Sequence, residues 1–452
     1  MPTTPWITGA APTVARACTP VSTGLGLSGL ALFAFSGGFS VAAMNTGLAL
    51  MLLGFLLQAR QALPTLLRDP LALLVTAFCA YVVLRGLLAV YSSTPADPDR
   101  GHLGQSWHLL RADGLLAVAG GWWLFRHPAW IRRCLNLAVL SGLVGLAVAL
   151  TRAPRLPWEG LVRLKTSASP NAFGLYAALV LLVLCMRPPV RCGTRARRIM
   201  LMAGWGAALI VALLALLWSG SRSAWLGAMI GIPVTLAVQW GPTLCRWLAT
   251  PAGRRPAAAA ALLAVLALGG IVATSDTVAW RLDPGEAVRS VRDIAAGDWQ
   301  AVPNRSLRYR LMLWRSGATI IRNAPWLGWG PAGAQPAIKR YAASEVKRFP
   351  HLHNMVLNLW AQLGLVGVGL FGVCGIVALF RGLRPPAGSD VPDNLVRLAG
   401  GGLLTFFLIG QLQIRYLDPT GIVPNSLFLA ILIATGLRAR ATGHRDTPGH
   451  TP

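Results

Sequence analysis

Apolar segments long enough to cross a lipid bilayer recur along this chain, and this repetition constrains its fold more than any other feature. A membrane-spanning helix needs about 20 mostly apolar residues. The hydropathy pattern predicts twelve such spans, at approximately residues 21–35, 40–57, 70–91, 109–125, 135–151, 172–186, 198–217, 224–240, 257–273, 354–380, 396–412 and 422–437. We therefore predict an all-α polytopic membrane protein with about twelve transmembrane helices.

Composition agrees with a membrane protein and narrows the class of ligand. Only 12% of the 452 residues are charged, about half the share in soluble proteins. The formal net charge is +26, and the basic residues lie between the apolar segments. This distribution indicates topology signals, contacts with anionic membrane lipids or an anionic substrate, and it argues against nucleic acid as a partner.

Arginines in the short loops predict the orientation. With the N-terminus inside, the inner loops hold more arginines than the short outer loops, as membrane insertion favours. The N-terminal residues lack the pattern of a cleavable signal, so we expect the first span to remain as an anchor. The predicted divisions are residues 1–273 with helices one to nine, a large external loop at 274–352, the last three helices at 353–440, and a cytoplasmic tail at 441–452.

The external loop contains one clearly amphipathic segment. Pro303 and Asn304 are plausible start signals, and 323–325 (NAP) is a plausible stop. Between them, apolar residues recur at steps of three and four, namely Leu307, Leu311, Trp314, Ala318 and Ile321. This spacing predicts a helix that lies on the membrane surface or caps the bundle. Arg310 lies at the edge of the apolar stripe and is its best candidate for a buried, functional arginine.

A histidine marks the point where the external loop meets the next apolar helix. If His353 is helical, Gly364 and Gly367 share its face. That face would form a groove for a neighbouring helix or a lipid chain. The alternative is a pair of packing glycines beneath an interfacial histidine.

Two outer turns carry candidate anion-binding residues. Ser221 and Arg222 lie in the outer turn that leads into the eighth predicted span, where a serine cap, the helix dipole and a guanidinium together favour an anion. An arginine at that place can equally be a membrane-interface anchor. Arg163 and Lys165 precede the sixth span and can contact anions, although Glu159 can pair with Arg163. For Arg85, inside the third span, we expect snorkelling to the headgroups.

Metal-ligating patterns are weak. Asp97, Asp99 and His102 resemble a metal site, but the neighbouring prolines favour an ordinary loop, and His351 and His353 lack a nearby carboxylate. We predict no metal and no cofactor. External arginines and a single base suit glycosyl transfer from a lipid pyrophosphate, which is already a good leaving group. A transporter or flippase is the rival class, and it requires paired charges near the bilayer centre.

Several motifs together resemble the O-antigen ligase (WaaL) and Wzy-C family of bacterial envelope glycosyltransferases. They are 169–171 (SPN), 221–227 (SRSAWLG), 310–314 (RLMLW) with 323–330 (NAPWLGWG), and 353–354 (HN) followed by glycines at 364 and 367. The resemblance implies a GT-C-like fold in the bacterial inner membrane, with the large loop and the active site in the periplasm. It also implies transfer of an undecaprenyl-pyrophosphate-linked glycan to lipid A-core without a metal.

The resemblance further implies roles for individual residues. His353 would be the catalytic base or would position the acceptor, and Arg222 and Arg310 would hold the pyrophosphate. The further substrate-binding candidates near these motifs are Lys165, Arg163, Asn354 and Ser221. The alternative within the same family is an O-antigen polymerase, whose acceptor is a second lipid-linked glycan.

Overall fold

The computed structural model describes residues 20–92, 101–154, 163–166, 169–189, 194–250, 269–270, 273, 276, 278, 283–414 and 419–443. Within these ranges all regular secondary structure is helical, as predicted. The helices are α1 (Pro20–Ser36), α2 (Val41–Leu57), α3 (Ala59–Leu66), α4 (Pro70–Tyr91), α5 (His102–Asp113), α6 (Leu115–Arg126), α7 (Ala129–Thr151), α8 (Pro170–Met186), α9 (Arg195–Trp218), α10 (Arg222–Leu248), α11 (Pro284–Ala295), α12 (Arg305–Asn323), α13 (Ala334–Tyr341), α14 (Met355–Leu383), α15 (Asp393–Gly410) and α16 (Pro419–Gly443), with a short 3-10 turn at Ser344–Val346.

Six of the described helices are long and apolar enough to cross a membrane: α4, α7, α9, α10, α14 and α16. The pair α2 and α3, bent by 91°, adds a seventh if it counts as one span, while α1 and α8 are shorter apolar helices. The chain is thus a multi-pass membrane protein, and the total of twelve spans stays a prediction. The predicted span 109–125 is divided between α5 and α6 at Gly114, and most of 257–273 lies outside the described residues.

Helix α16 forms the centre of the bundle. An 18-residue window of Thr420–Thr442 is entirely buried inside the protein, and α16 packs against α6, α8 and α15. The outer helices differ, because α4 leaves Leu84, Leu87 and Leu88 about half exposed. A helix that is apolar on all sides belongs in such an interior, whereas α4 presents apolar side chains to lipid.

A buried ion pair joins three helices at one end of the bundle. Asp69 caps α4 by accepting a hydrogen bond from the Ala72 backbone N–H at 3.0 Å. Arg381, near the end of α14, donates to both carboxylate oxygens of Asp69 at 3.0 and 2.9 Å and to the Leu432 carbonyl of α16 at 2.9 Å. The Asp69 side chain is 0% exposed. This bidentate contact fixes α4, α14 and α16 relative to one another.

At the other end of α14, residues 305–352 fold into a cap with its own small core. The core, here called the cap cluster, joins α12, α13, the 3-10 turn and the start of α14, and its buried members are Leu313, Ile320, Ala337, Ile338, Ala342, Val346, Leu352 and Ala361. The predicted amphipathic helix is confirmed as α12, and Asn304 caps it by accepting from the Leu307 N–H at 3.0 Å. The buried face of α12 is rotated about the helix axis relative to the predicted apolar face, because Leu313 and Ile320 are buried while Ala318 is exposed.

Helix α14 contradicts the predicted groove. His353 precedes the helix rather than lying on it, and the helix is broken at Gly364, where φ is +69°. A Cβ at Gly364 would lie 2.1 Å from the Trp326 carbonyl oxygen. The Leu365 N–H donates to the Pro325 carbonyl at 2.8 Å across this break. Gly364 therefore admits the loop that follows α12, and it forms no common face with His353.

Candidate functional site

Five segments of the chain meet around a cavity of about 520 Å³ at the cap end of the bundle. They are the loop before α8 with its first turn, the start of α10, the start of α11, the first half of α12, and the loop before α14. The cavity is lined by Arg163, Asn171, Arg222, Glu286, Pro303, Asn304, Arg305, Ser306, Tyr309, Arg310, Phe349 and His353. Four of the seven predicted site residues, Arg163, Arg222, Arg310 and His353, therefore line one cavity.

The start of α10 directs Arg222 into this cavity. Ser221 is the N-cap residue, and its hydroxyl accepts from the Ala224 N–H at 3.4 Å and lies 3.1 Å from the Ser223 hydroxyl. Ser221 is 1% exposed and does not line the cavity. It acts on the site by holding the first turn of α10, so that Arg222 lies at the helix N-terminus, where the free N–H groups also favour an anion.

Arg163 reaches the cavity across the turn between α9 and α10. Its Nε donates to the Ser219 carbonyl at 3.0 Å, and its Nη2 donates to Oδ1 of Asn171 at 2.8 Å. Burial, and then the positive charge of Arg222, lower the pKa of Arg163 from its usual value. Glu159, the predicted alternative partner, lies outside the described residues. The guanidinium groups of Arg163 and Arg222 repel each other because both are positively charged. An anion bound between them would relieve this repulsion.

The first two turns of α12 contribute a second cationic wall. Arg305 Nε donates to the Tyr309 hydroxyl at 2.9 Å, and this hydrogen bond is the main cause of a lowered pKa at Tyr309. The Tyr309 and Phe349 rings lie 5.5 Å apart. Arg310 follows on the same helix and also lines the cavity. An aromatic surface thus lies next to the arginines, and it can pack against an uncharged part of a ligand.

His353 has an unusual backbone. Its φ of +53° is the only positive value at a non-glycine residue in the part of the chain that the structure describes. Its ring lies 5.3 Å from that of Phe349 and 4.3 Å from that of His351, both at steep angles. Left-handed backbone at a residue with a side chain costs energy and is concentrated at functional sites. This conformation places the imidazole at the cavity wall.

Two predicted site residues lie outside the cavity lining. Asn354 is the N-cap of α14: its Oδ1 accepts from the Leu357 N–H at 2.9 Å, and its Nδ2 donates to the Gln411 carbonyl at 3.0 Å. It therefore supports the loop that carries His353. Lys165 is exposed to solvent. Neither side chain lines the cavity described here.

Glu286 is a cavity residue that the sequence interpretation missed. One of its carboxylate oxygens lies 3.3 Å from Arg222 Nη1, and the Asn304 side chain donates to the same oxygen. Glu286 lies in the first turn of a helix that begins at Asp283–Pro284. An acidic residue at this place in a basic segment was the only local sequence signal that could have indicated it. Asn171, Arg305 and Tyr309 were also missed as site residues.

The charges in the cavity favour a ligand with more than one negative charge. Its lining residues include four arginines and a single carboxylate, that of Glu286. Such a lining fits phosphate or pyrophosphate, which guanidinium groups bind in a bidentate manner. Among the described residues no three His, Cys, Asp or Glu side chains come together as metal ligands, and metal independence stays a prediction.

Comparison with known protein families gives a match to part of the chain. No curated protein matches this chain. The model of the Wzy_C family, described as O-antigen ligase, matches residues 207–372, which run from α9 to the middle of α14 and contain Arg222, Arg310 and His353. The match at residues 207–372 is consistent with an O-antigen ligase family, as the resemblance in the sequence motifs had indicated.

Proposed function

We propose that this protein is an O-antigen ligase. It transfers a glycan from undecaprenyl pyrophosphate to a sugar of lipid A-core at the periplasmic face of the bacterial inner membrane. The observation that carries the proposal is the convergence of Arg163, Arg222, Arg310 and His353 on one cavity. The family match supports an enzyme of the glycosyltransferase type, and the proposal adds the donor, the acceptor and the roles of these residues.

The arginines act on the leaving group. When the bond between the anomeric carbon and the phosphate oxygen breaks, negative charge grows on the pyrophosphate. Arg222, Arg163 and Arg310 stabilise that charge, and since they are positioned before the reaction, little reorganisation is needed. Undecaprenyl pyrophosphate leaves as an anion without requiring a proton from a general acid.

His353 acts on the acceptor. The attacking sugar hydroxyl forms the new bond to the anomeric carbon, and its proton passes to the imidazole. A neutral imidazole has one ring nitrogen that can accept this proton, which is the role of a general base. The ring contacts with Phe349 and His351 and the cap formed by Asn354 hold the imidazole in place.

Reconstitution of the purified protein in liposomes tests this proposal. The donor is an undecaprenyl-pyrophosphate-linked glycan and the acceptor is lipid A-core, with excess chelator in one arm. We expect glycosylated lipid A-core in both arms. Absence of product, with both substrates and a folded protein present, would exclude the ligase function, and activity that needs added magnesium would exclude the metal-free mechanism.

The polymerase alternative shares the same family and the same donor. It differs only in the acceptor, which is a second lipid-linked glycan. The lipopolysaccharide of a deletion strain separates the two functions. Loss of every O-chain, including single repeats, indicates a ligase, whereas survival of single repeats indicates a polymerase.

A further inference from the structure

A second cavity, of about 720 Å³, lies at the same end of the bundle as the cap. It is formed by the last turns of α4, the first turn of α5, the loop after α12, and α13. Its lining residues are Arg85, Ala89, Ser92, His102, Trp329, Ala332, Gly333, Gln335, Pro336, Ala337, Lys339 and Arg340. None of these residues is acidic, and the mechanism proposed above uses none of them.

Arg85 is built into this cavity rather than extended to the headgroups, which corrects the snorkelling expectation. Its Nε donates to the Leu327 carbonyl at 2.6 Å, and its Nη2 donates to the Gly328 carbonyl at 2.8 Å. A guanidinium has five N–H donors, so the two bonds fix its plane and leave donors for a ligand. The same bonds hold the loop that forms one wall of the cavity.

The remaining cations complete a site for an anion. Lys339 and Arg340 lie next to each other on α13 and are exposed. His102 is 6% exposed, and its Nδ1 accepts a hydrogen bond from the Ala332 N–H at 3.2 Å. In the neutral imidazole the proton therefore lies on Nε2, which makes that nitrogen a donor. Three permanent positive charges and a buried imidazole thus share one cavity.

Two of the helices that form this cavity, α4 and α5, also carry exposed apolar side chains. On α4, Leu84, Leu87 and Leu88 are 53%, 53% and 45% exposed, and on α5, Leu103 and Trp107 are 46% and 45% exposed. In a membrane protein such surfaces contact acyl chains. A cationic cavity between helices that also expose apolar side chains fits an amphiphile with an anionic head and apolar chains.

Both cavities border the cap cluster. Tyr309 and Phe349 pack on that cluster and line the first cavity, while Trp329, which packs on it, and Ala337, one of its buried members, line the second. The two linings have no residue in common. A transferase needs separate places for donor and acceptor, and a large glycolipid can keep its lipid phosphates far from its reactive sugar hydroxyl.

We infer that the second cavity binds the phosphate-bearing lipid head of the acceptor. This inference rests on the proposed function, because that function makes the acceptor a phosphorylated glycolipid. The shared chemistry is a phosphate on a lipid, which an anionic phospholipid also offers. The assignment to the acceptor comes from two observations: the cavity shares no lining residue with the donor site, and both cavities border the cap cluster.

Charge reversal of two exposed residues tests the inference. The first variant carries both Lys339→Glu and Arg340→Glu. The control variant carries both Arg322→Glu and Lys347→Glu, which makes the same change in net charge at exposed cap residues outside both cavities. Binding of diphosphorylated and dephosphorylated lipid A to the full-length protein in nanodiscs is measured without donor. We expect the first variant, and not the control, to lose about tenfold or more in affinity for the diphosphorylated form.

Two results would overturn the inference. One is equal binding of diphosphorylated lipid A by the wild type and the first variant. The other is that phosphatidylglycerol competes for the site as strongly as diphosphorylated lipid A does. In the transfer assay, we expect the first variant to raise KM for the acceptor with KM for the donor unchanged. The binding assay requires no catalysis. If transfer fails while the difference in binding persists, the proposed function is wrong and the phosphate site stands.

Discussion

The two ends of α14 use arginine differently. At one end, Arg381 donates two hydrogen bonds to a single carboxylate, that of Asp69. At the other end, the cavity beside His353 has four arginines and one carboxylate. The Arg381 side chain is 12% exposed and that of Asp69 is 0% exposed. The Arg222 side chain is 34% exposed, and that of its partner Glu286 is 21% exposed. The first pair is matched in charge and buried, while the cavity has more arginines than carboxylates and its ion pair is partly exposed. Substitutions at the two ends should therefore affect different measurements.

The largest expected effect is on catalysis, at His353. The substitution His353→Asn removes the base but keeps a residue that tolerates positive φ, so the loop should keep its conformation. We expect the transfer rate to fall by about 10²–10⁴-fold, the usual contribution of a general base. The measurement is single-turnover transfer in liposomes. Unchanged thermal unfolding serves as the control, and a rate near that of the wild type would contradict the assignment.

The next effect is on stability, at the matched pair. Arg381→Met leaves the Asp69 carboxylate buried without its guanidinium, which should lower the free energy of unfolding by about 3–5 kcal/mol. Denaturant unfolding in detergent measures the loss. Adding Asp69→Asn, which retains a cap for α4, should recover much of it. If the single and double variants were equally unstable, the pair would not be the cause.

Arg222→Met should show the opposite pattern. We expect transfer to fall by about 10²–10³-fold, as for the loss of one charge-stabilising donor, while the free energy of unfolding changes by less than about 1 kcal/mol. Comparing this variant with Arg381→Met in both assays sharpens the contrast. A large loss of stability in Arg222→Met would show that the two ends of the helix use arginine in the same way.

The smallest effect is expected at Glu286, which competes with the donor for Arg222 in the proposed function. Glu286→Gln removes that negative charge while keeping a hydrogen-bonding side chain. We expect KM for the donor to decrease by about two- to fivefold, in line with a partly exposed ion pair. Glu345→Gln, an exposed carboxylate of the cap that does not line the cavity, is the matched control. An increased donor KM would instead make Glu286 a positioning residue for Arg222.

Local backbone chemistry made several helix starts predictable. Asn304 caps α12 and Ser221 caps α10, and both positions were interpreted as helix starts from the sequence. A cap depends on a side chain and an N–H group three residues later, so the signal lies within a few residues. The resemblance likewise singled out Arg222, Arg310 and His353; the fold brings them to the lining of one cavity, and their roles stay a prediction.

Contacts between distant segments could not be predicted in this way. Glu286 lies 64 residues from Arg222, and Arg85 lies 242 residues from Leu327, so no local pattern links them. Gly364 was interpreted as part of a continuous helical face, because a glycine within an apolar segment is compatible with a helix. Only the incoming loop explains why its backbone leaves the helical region.

The break in α14 has a consequence for how the molecule is assembled. Beyond Gly364, the N–H groups of Leu365 and Val366 donate to the carbonyls of Pro325 and Trp326 at 2.8 and 3.3 Å. Inside a bilayer an unsatisfied backbone group is costly, so this membrane helix is completed by the cap. The cap and this helix therefore form one structural unit: a chimaera that imports the corresponding cap of another protein must also import the stretch of helix around Gly364.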